Sequence, residues 1–217
     1  MDLPGKVQSA PPGTLGFDAN TTLSLQTAQK FFGQGHRFCL RYISRSTPEP
    51  AGDLSVSEAT DILNAGLALM PVQHVRKAGW KPSQSLGEQD RANAALNASA
   101  IGFPPGVNVW CDLEGVDKSV VAQDVIDHCN AWFDAVSDSG YVPGLYVGAD
   151  AILSGQQLFS NLKFQHYWRS QSNVPNIQRG YQLVQLFPSM TVDGVDMDVD
   201  VTQDDFRGGQ AQWLAIG

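Results

Sequence analysis

Basic clusters are missing from this sequence. The formal net charge is −8, and no run of Lys and Arg supplies the footprint that nucleic acid or an anionic membrane surface requires. No apolar stretch is long enough to span a bilayer. Met1–Gly13 has no hydrophobic core of the kind a signal peptide needs. It holds Pro4, Gly5, Pro11, Pro12 and Gly13 instead, which reads as a flexible leader over 1–13 ahead of one domain over 14–217. Cysteine is scarce: Cys39, Cys111 and Cys129 are odd in number and fit no metal spacing. Cys39 and Cys111 sit in apolar strand-like runs, so the thiols read as small buried hydrophobes. No His/Asp/Glu set has zinc spacing, and no Gly-x-Ser-x-Gly elbow marks an α/β-hydrolase. A glycine-rich phosphate loop after the first strand is also absent. No metal and no cofactor is expected.

What is present is alternation. The 217 residues suit one large α/β domain. Leu15–Asp18 is a short apolar run ending in a carboxylate. Helical spacing follows over Ser24–Gly33, then a strand at Arg37–Ser44. Ser55 with Glu58, and Ser85 with Glu88, form capping-box patterns ahead of two further helices. Strands are expected at Leu67–Val75, Val107–Leu113, Gly144–Val147, Gln165–Ser170 and Tyr181–Phe187. Asp117 or Ser119 is expected to cap a long helix that Gly140 ends, and Ala149–Phe159 reads as another helix. Gln171–Gly180 is too brief for a crossover helix. Strands alternating with helices imply parallel strands with right-handed crossovers. About eight strand candidates predict a single compact (β/α)8 barrel of the TIM type with some late helices short or missing. A doubly wound open sheet is the alternative.

Strand side chains alternate, so Asp112 and Glu114 in Val-Trp-Cys-Asp-Leu-Glu-Gly (109–115) share one face. They fall at the C-terminal end of a predicted strand, the catalytic end of a barrel. Asp18 ends its own strand in the same way. Asp196, Asp198 and Asp200 alternate with Met197, Val199 and Val201 near the C-terminus, so one face of that segment is all carboxylate. Two acids beside a sugar bond can divide the work of hydrolysis. One donates a proton to the leaving oxygen, and the other, ionised, stabilises positive charge on the sugar carbon or its acetamido group. Crowding pushes such pKa values apart. The competing reading is a set of loop acids or a cation site, but the tail lacks the full spacing of a twelve-residue Ca²⁺ loop. Tyr42, Tyr146, Trp110, Trp168 and His74 also fall on predicted strands. Rings at the mouth could stack on sugar faces, whereas Trp110 reads as core filling.

Taken in order, Gly-Phe-Asp at 16–18, Arg-Tyr at 41–42, Asp-Leu-Glu at 112–114, Gly-Leu-Tyr-Val at 144–147, Gln185 and Val-Asp-Met-Asp-Val-Asp at 195–200 span most of the chain. The sequence resembles the glycoside hydrolase-like domain, long carried as a domain of unknown function, that is related to the family-25 lysozymes (N-acetylmuramidases). The resemblance implies a barrel and a cell-wall amino-sugar glycan such as peptidoglycan. It assigns Glu114 as general acid and Asp112 as stabiliser, with Asp18 and Asp198 as supporting acids. Asp196 is the second choice for the last-strand position. Tyr42, His74, Tyr146, Trp168, Gln185 and Asp196 are the candidate substrate-binding residues. A monomer is expected, and a peptidoglycan substrate further implies an extracellular or cell-envelope location, after removal of a signal. The chain departs from the lysozymes in two places. Its tail repeats the acid where they carry Asp followed by Asn, and 165–170 reads Gln-His-Tyr-Trp-Arg-Ser rather than a small-aromatic pattern.

Two functional readings follow. One is a retaining hydrolase of β-linked amino-sugar glycan. The other is a non-catalytic glycan-binding barrel that keeps the fold.

Overall fold

The structure is a computed structural model that describes residues 2–47 and 50–217. Strand β1 (Lys6–Ser9) comes first, then β2 (Leu15–Ala19). From there helix and strand alternate: α1 (Leu25–Gly33), β3 (Phe38–Ile43), α2 (Val56–Asn64), β4 (Ala68–Gln73) and α3 (Gln84–Ile101). β5 (Asn108–Leu113), α4 (Ala122–Asp138), β6 (Val142–Val147), α5 (Gly155–Ser160) and β7 (His166–Arg169) continue the pattern. The chain ends in strands alone, β8 (Leu183–Val192), β9 (Val195–Thr202) and β10 (Gln212–Ala215).

Pairing runs β4-β3-β2-β9-β8-β7-β6-β5 and closes through β5 onto β4, so eight strands form a barrel. This is the expected TIM-type barrel with reduced helices, with one correction. β9 is antiparallel to both of its neighbours, β8 and β2. Asp193 and Gly194 join β8 to β9 with φ of 54° and 81°, the geometry of a tight two-residue turn, and such a turn can return the chain only antiparallel. The stretch read as a leader is also corrected. β1 pairs with β10, in register from Lys6↔Ala215 to Ser9↔Gln212, so residues 6–9 close the sheet edge beyond β4 rather than hang free.

Serines start most helices. Ser24, Ser55, Ser83 and Ser154 each accept a hydrogen bond from a backbone N–H in the first turn. The third helix therefore begins at Ser83, two residues before the expected Ser85. At Ser55 the box is half made: Glu58 turns inward instead of reaching back. Asp117 does not cap α4. Its Oδ1 accepts from the N–H and hydroxyl of Ser119 at 2.8 and 2.7 Å, closing a local turn ahead of a helix whose cap is Val121. The helix expected at 149–159 shrinks to six residues, because Asp150 and Ile152 take positive φ and Ser154 restarts the chain.

Trp110, Met70 and Trp168 are buried at the centre of the barrel. The Trp110 indole N–H points at the Met70 sulfur, 3.4 Å away, and its ring meets Trp168 edge-on at 6.0 Å. Trp110 thus fills the core as expected. The three cysteines are free and buried. Among the described residues no helix is long and apolar enough to cross a membrane.

Candidate active site

Every second residue of a barrel strand faces inward. That rule brings Asp18, Tyr42, Asp112, Tyr146, Gln185 and Asp198 inward toward the C-terminal end of the parallel strands. In register, Asp18 pairs with Asp198, Asp112 with Tyr146 and Gln185 with Asp200.

Gln185 ties this layer together. Its Nε2 donates to Asp18 Oδ2 at 2.8 Å and to Asp198 Oδ2 at 2.9 Å. Its Oε1 accepts from the Tyr146 hydroxyl at 3.1 Å and from the Gln171 N–H at 3.3 Å. One amide side chain thus uses both donor hydrogens on carboxylates and both lone pairs on donors that fix its orientation. Tyr42 reaches Asp18 Oδ1 with its hydroxyl at 3.5 Å.

Asp112 and Glu114 stand across the mouth. Asp112 is buried, and its Oδ1 has no hydrogen-bond partner among the described residues. Glu114 lies just past the end of β5 and is half-buried. Its carbonyl accepts from the Trp80 indole at 2.8 Å. The chain then turns at Gly115, whose φ is 63°. Gly148 makes room for the side chain: a Cβ there would sit 2.5 Å from Glu114 Cβ and 2.6 Å from its Oε2.

None of Asp18, Asp112, Glu114, Asp198 and Asp200 forms a salt bridge among the described residues. Crowded acids without a counter-charge hold protons. Burial, opposed by the Gln185 hydrogen bond and aided by Asp198, pushes Asp18 up to about 7. Burial, then Glu114 and Asp18, pushes Asp112 well above the ordinary carboxylate range. Glu114 is raised by burial and by Asp198. Asp200 is raised strongly, by burial first and then by Asp18. The Asp200 Oδ2 has no hydrogen-bond donor among the described residues. The site is a proton reservoir in a barrel mouth.

Not every expected residue joins this group. Trp168 is a correction: it is buried at 1% exposure, and its indole donates to Asp200 Oδ1 at 2.8 Å. It holds an acid from below and cannot stack on a sugar. Asp196 is exposed at the outer end of β9, where it accepts from the Thr191 hydroxyl at 2.6 Å. It reaches the rim of a cavity of about 370 Å³ that Asp18, Asn20, Tyr42 and Asp198 also line. That cavity has the volume of a small ligand site, although Asp112 and Glu114 lie outside its lining. His74 stacks on Tyr42, with ring centres 4.6 Å apart and planes at 23°, and its Nε2 lies 2.8 Å from Asp53 Oδ1. Sequence reasoning did not single out Gln171, whose Nε2 donates to Asp198 Oδ1 at 3.3 Å. No pattern in its loop marks it. Among the described residues, no group of three or more His, Cys, Asp or Glu side chains is arranged to hold a metal ion.

A β/α barrel with unpaired acids gathered at the C-terminal mouth of its strands has the build of a glycoside hydrolase-like domain. The chain belongs to the family described as the Rv2525c-like, glycoside hydrolase-like domain, whose model matches residues 29–202. Among solved structures, it is similar to the Tat-secreted protein Rv2525c of Mycobacterium tuberculosis, at 19% identity and a TM-score of 0.69 over 92% of this chain and 99% of that one. The spore cortex lytic enzyme SleM of Clostridium perfringens gives 14% and 0.64, over 90% of this chain and 68% of that one. A family 25 glycosyl hydrolase from Bacillus anthracis gives 12% and 0.59, over 90% and 91%. At these identities the likeness is one of fold. No relative is found among curated protein sequences.

Proposed function

We propose that this protein hydrolyses a cell-wall amino-sugar glycan of the peptidoglycan type, with Glu114 as general acid and Asp112 as stabiliser. One observation carries the reading: Asp112 and Glu114 share the barrel mouth without a cationic partner among the described residues, and both hold their protons more tightly than ordinary carboxyls. Glu114 is the more exposed of the two, so its proton is the one a glycosidic oxygen can reach. As the bond from the sugar carbon to that oxygen breaks, Glu114 delivers the proton. The acetamido oxygen of the same sugar closes on the carbon, and Asp112 accepts a hydrogen bond from the acetamido N–H. Water then opens the ring intermediate as Glu114 takes back a proton, and the configuration is retained.

Asp112 must be ionised in this scheme, yet in the empty site it is raised further than Glu114. Substrate binding resolves the conflict: the acetamido N–H donates to Asp112 and favours its carboxylate. The Asp112 proton leaves to solvent before the glycosidic bond breaks, and the developing positive charge then strengthens the interaction. Gln185 and Tyr42 hold Asp18 and Asp198 as supporting acids, while Tyr42, His74 and Asp196 offer the contact surface. Peptidoglycan lies outside the cytoplasmic membrane, and the M. tuberculosis relative is Tat-secreted, which supports an extracellular or cell-envelope location.

The test is incubation of wild type and Glu114→Gln with purified cell wall, with mass analysis of the soluble products. Wild type should release fragments, and the variant should release none while unfolding at the same urea concentration. Saccharide binding without cleavage, unchanged by Glu114→Gln, would instead identify a glycan-binding module.

A further inference from the structure

A second cavity, of about 500 Å³, lies beside the mouth and takes no part in the chemistry above. Arg45, Arg76, Ser46, Gln89 and His74 line it, and Asp53 is the one acid among its described lining residues. That acid is engaged by His74. Arg76 is held by Asp90 through contacts of 2.6 and 3.3 Å, which orients its guanidinium. Arg45 has no side-chain hydrogen bond or salt bridge among the described residues, and its Nε is buried without an acceptor. Burial and the nearby Arg76 charge both disfavour its cationic form. In a chain of net charge −8, two guanidiniums share a cavity with their donors incompletely used.

This cavity is one ring away from the acids. His74 lines it and stacks on Tyr42, and Tyr42 lines the cavity beside Asp18. The mouth's acids have no cationic partner among the described residues, and a negatively charged substituent on a glycan finds none there. It meets a matching charge here, where a planar guanidinium can hold a carboxylate through paired N–H donors.

We propose that the Arg45–Arg76 cavity is a subsite for a carboxylate carried by the substrate glycan, either on an ether-linked side group of the sugar or on an acidic peptide attached to it. The proposal rests on the glycan reading and narrows it: neutral chitin-type oligomers bring no counter-charge to Arg45, and acidic amino-sugar glycans bring one.

The test measures binding separately from cleavage. N-acetylmuramic acid, N-acetylglucosamine and the dipeptide alanyl-glutamate are titrated at low salt into wild type, Arg45→Gln and Arg45→Lys, followed by NMR. The unfolding midpoint of each variant checks that the fold is kept. Wild type should bind an acidic probe more tightly than the neutral sugar. Arg45→Gln should weaken the acidic probe about tenfold, the size of one lost charge-assisted hydrogen bond, and leave the neutral sugar unchanged. Arg45→Lys should recover part of the loss. Preference for the muramic acid points to the sugar's own carboxylate, and preference for the dipeptide to the stem. Equal affinity for acidic and neutral sugars, no binding of either acidic probe, or an equal loss for both sugars in Arg45→Gln would each overturn the subsite. Cell-wall hydrolysis with a KM untouched by Arg45→Gln would overturn it and leave Glu114 in its role. Arg45-dependent carboxylate binding with no hydrolysis would retain the subsite and remove the catalytic reading.

Discussion

Asp18→Asn should make the protein more stable in base and leave it nearly unchanged in acid. Asp18 is 4% exposed and its pKa rises from 3.8 to about 7. A carboxyl raised in this way binds its proton more tightly folded than unfolded. Its contribution is therefore fully present below about pH 4 and is lost as the pH climbs to about 7. At 1.36 kcal/mol per pH unit, that span amounts to about 4 kcal/mol. Asparagine cannot ionise, and its amide oxygen can still accept from Gln185. At pH 4 the variant should match wild type to within about 1 kcal/mol, the worth of the weak Tyr42 contact. At pH 8 it should exceed wild type by up to about 4 kcal/mol. Urea unfolding across this pH range measures both numbers. A variant whose stability tracks wild type in parallel at every pH would refute the argument, because it would mean that Asp18 titrates as an ordinary exposed acid.

Gly148→Ala should displace the Glu114 carboxyl, because the added Cβ would fall 2.5 Å from the Glu114 Cβ. Turnover of cell wall should drop by about 10²-fold, with a stability cost of about 1–3 kcal/mol in a melt. Glu58→Gln should cost about 3–5 kcal/mol in urea unfolding, since Arg41 is wholly buried and Glu58 is its ion-pair partner at 2.6 Å; a loss below about 1 kcal/mol would show the pair to be solvated. The three thiols should resist Ellman's reagent in the folded protein and react only on unfolding. All are buried, burial pushes Cys129 up to about 12, and it pushes Cys39 and Cys111 well up.

Local pattern carried a large part of the fold. Period-two alternation located Asp112 and Glu114 on one face, and capping serines located helix starts to within two residues. The reversal of β9 was also readable, since Asp193-Gly194 between Val192 and Val195 is a hairpin signal. The helical alternation upstream suggested parallel continuation and masked it. Two other differences had no local signal. Residues 6–9 become a strand only because Gln212–Ala215 offers them an edge. Trp168 looked like a rim ring because its strand ends near the mouth, but it lies one layer too deep.

Backbone period fixes which residues share a strand face. It groups Asp112 with Glu114, and Asp196 with Asp198 and Asp200, and leaves open which of the last three meets the site. Depth along the barrel axis was decided only by the tertiary structure, because it depends on register between strands far apart in the chain. That register set Asp198 opposite Asp18 under the shared amide of Gln185, sank Asp200 onto Trp168 and left Asp196 at the rim. Three equally spaced acids on one strand thereby acquired three different environments.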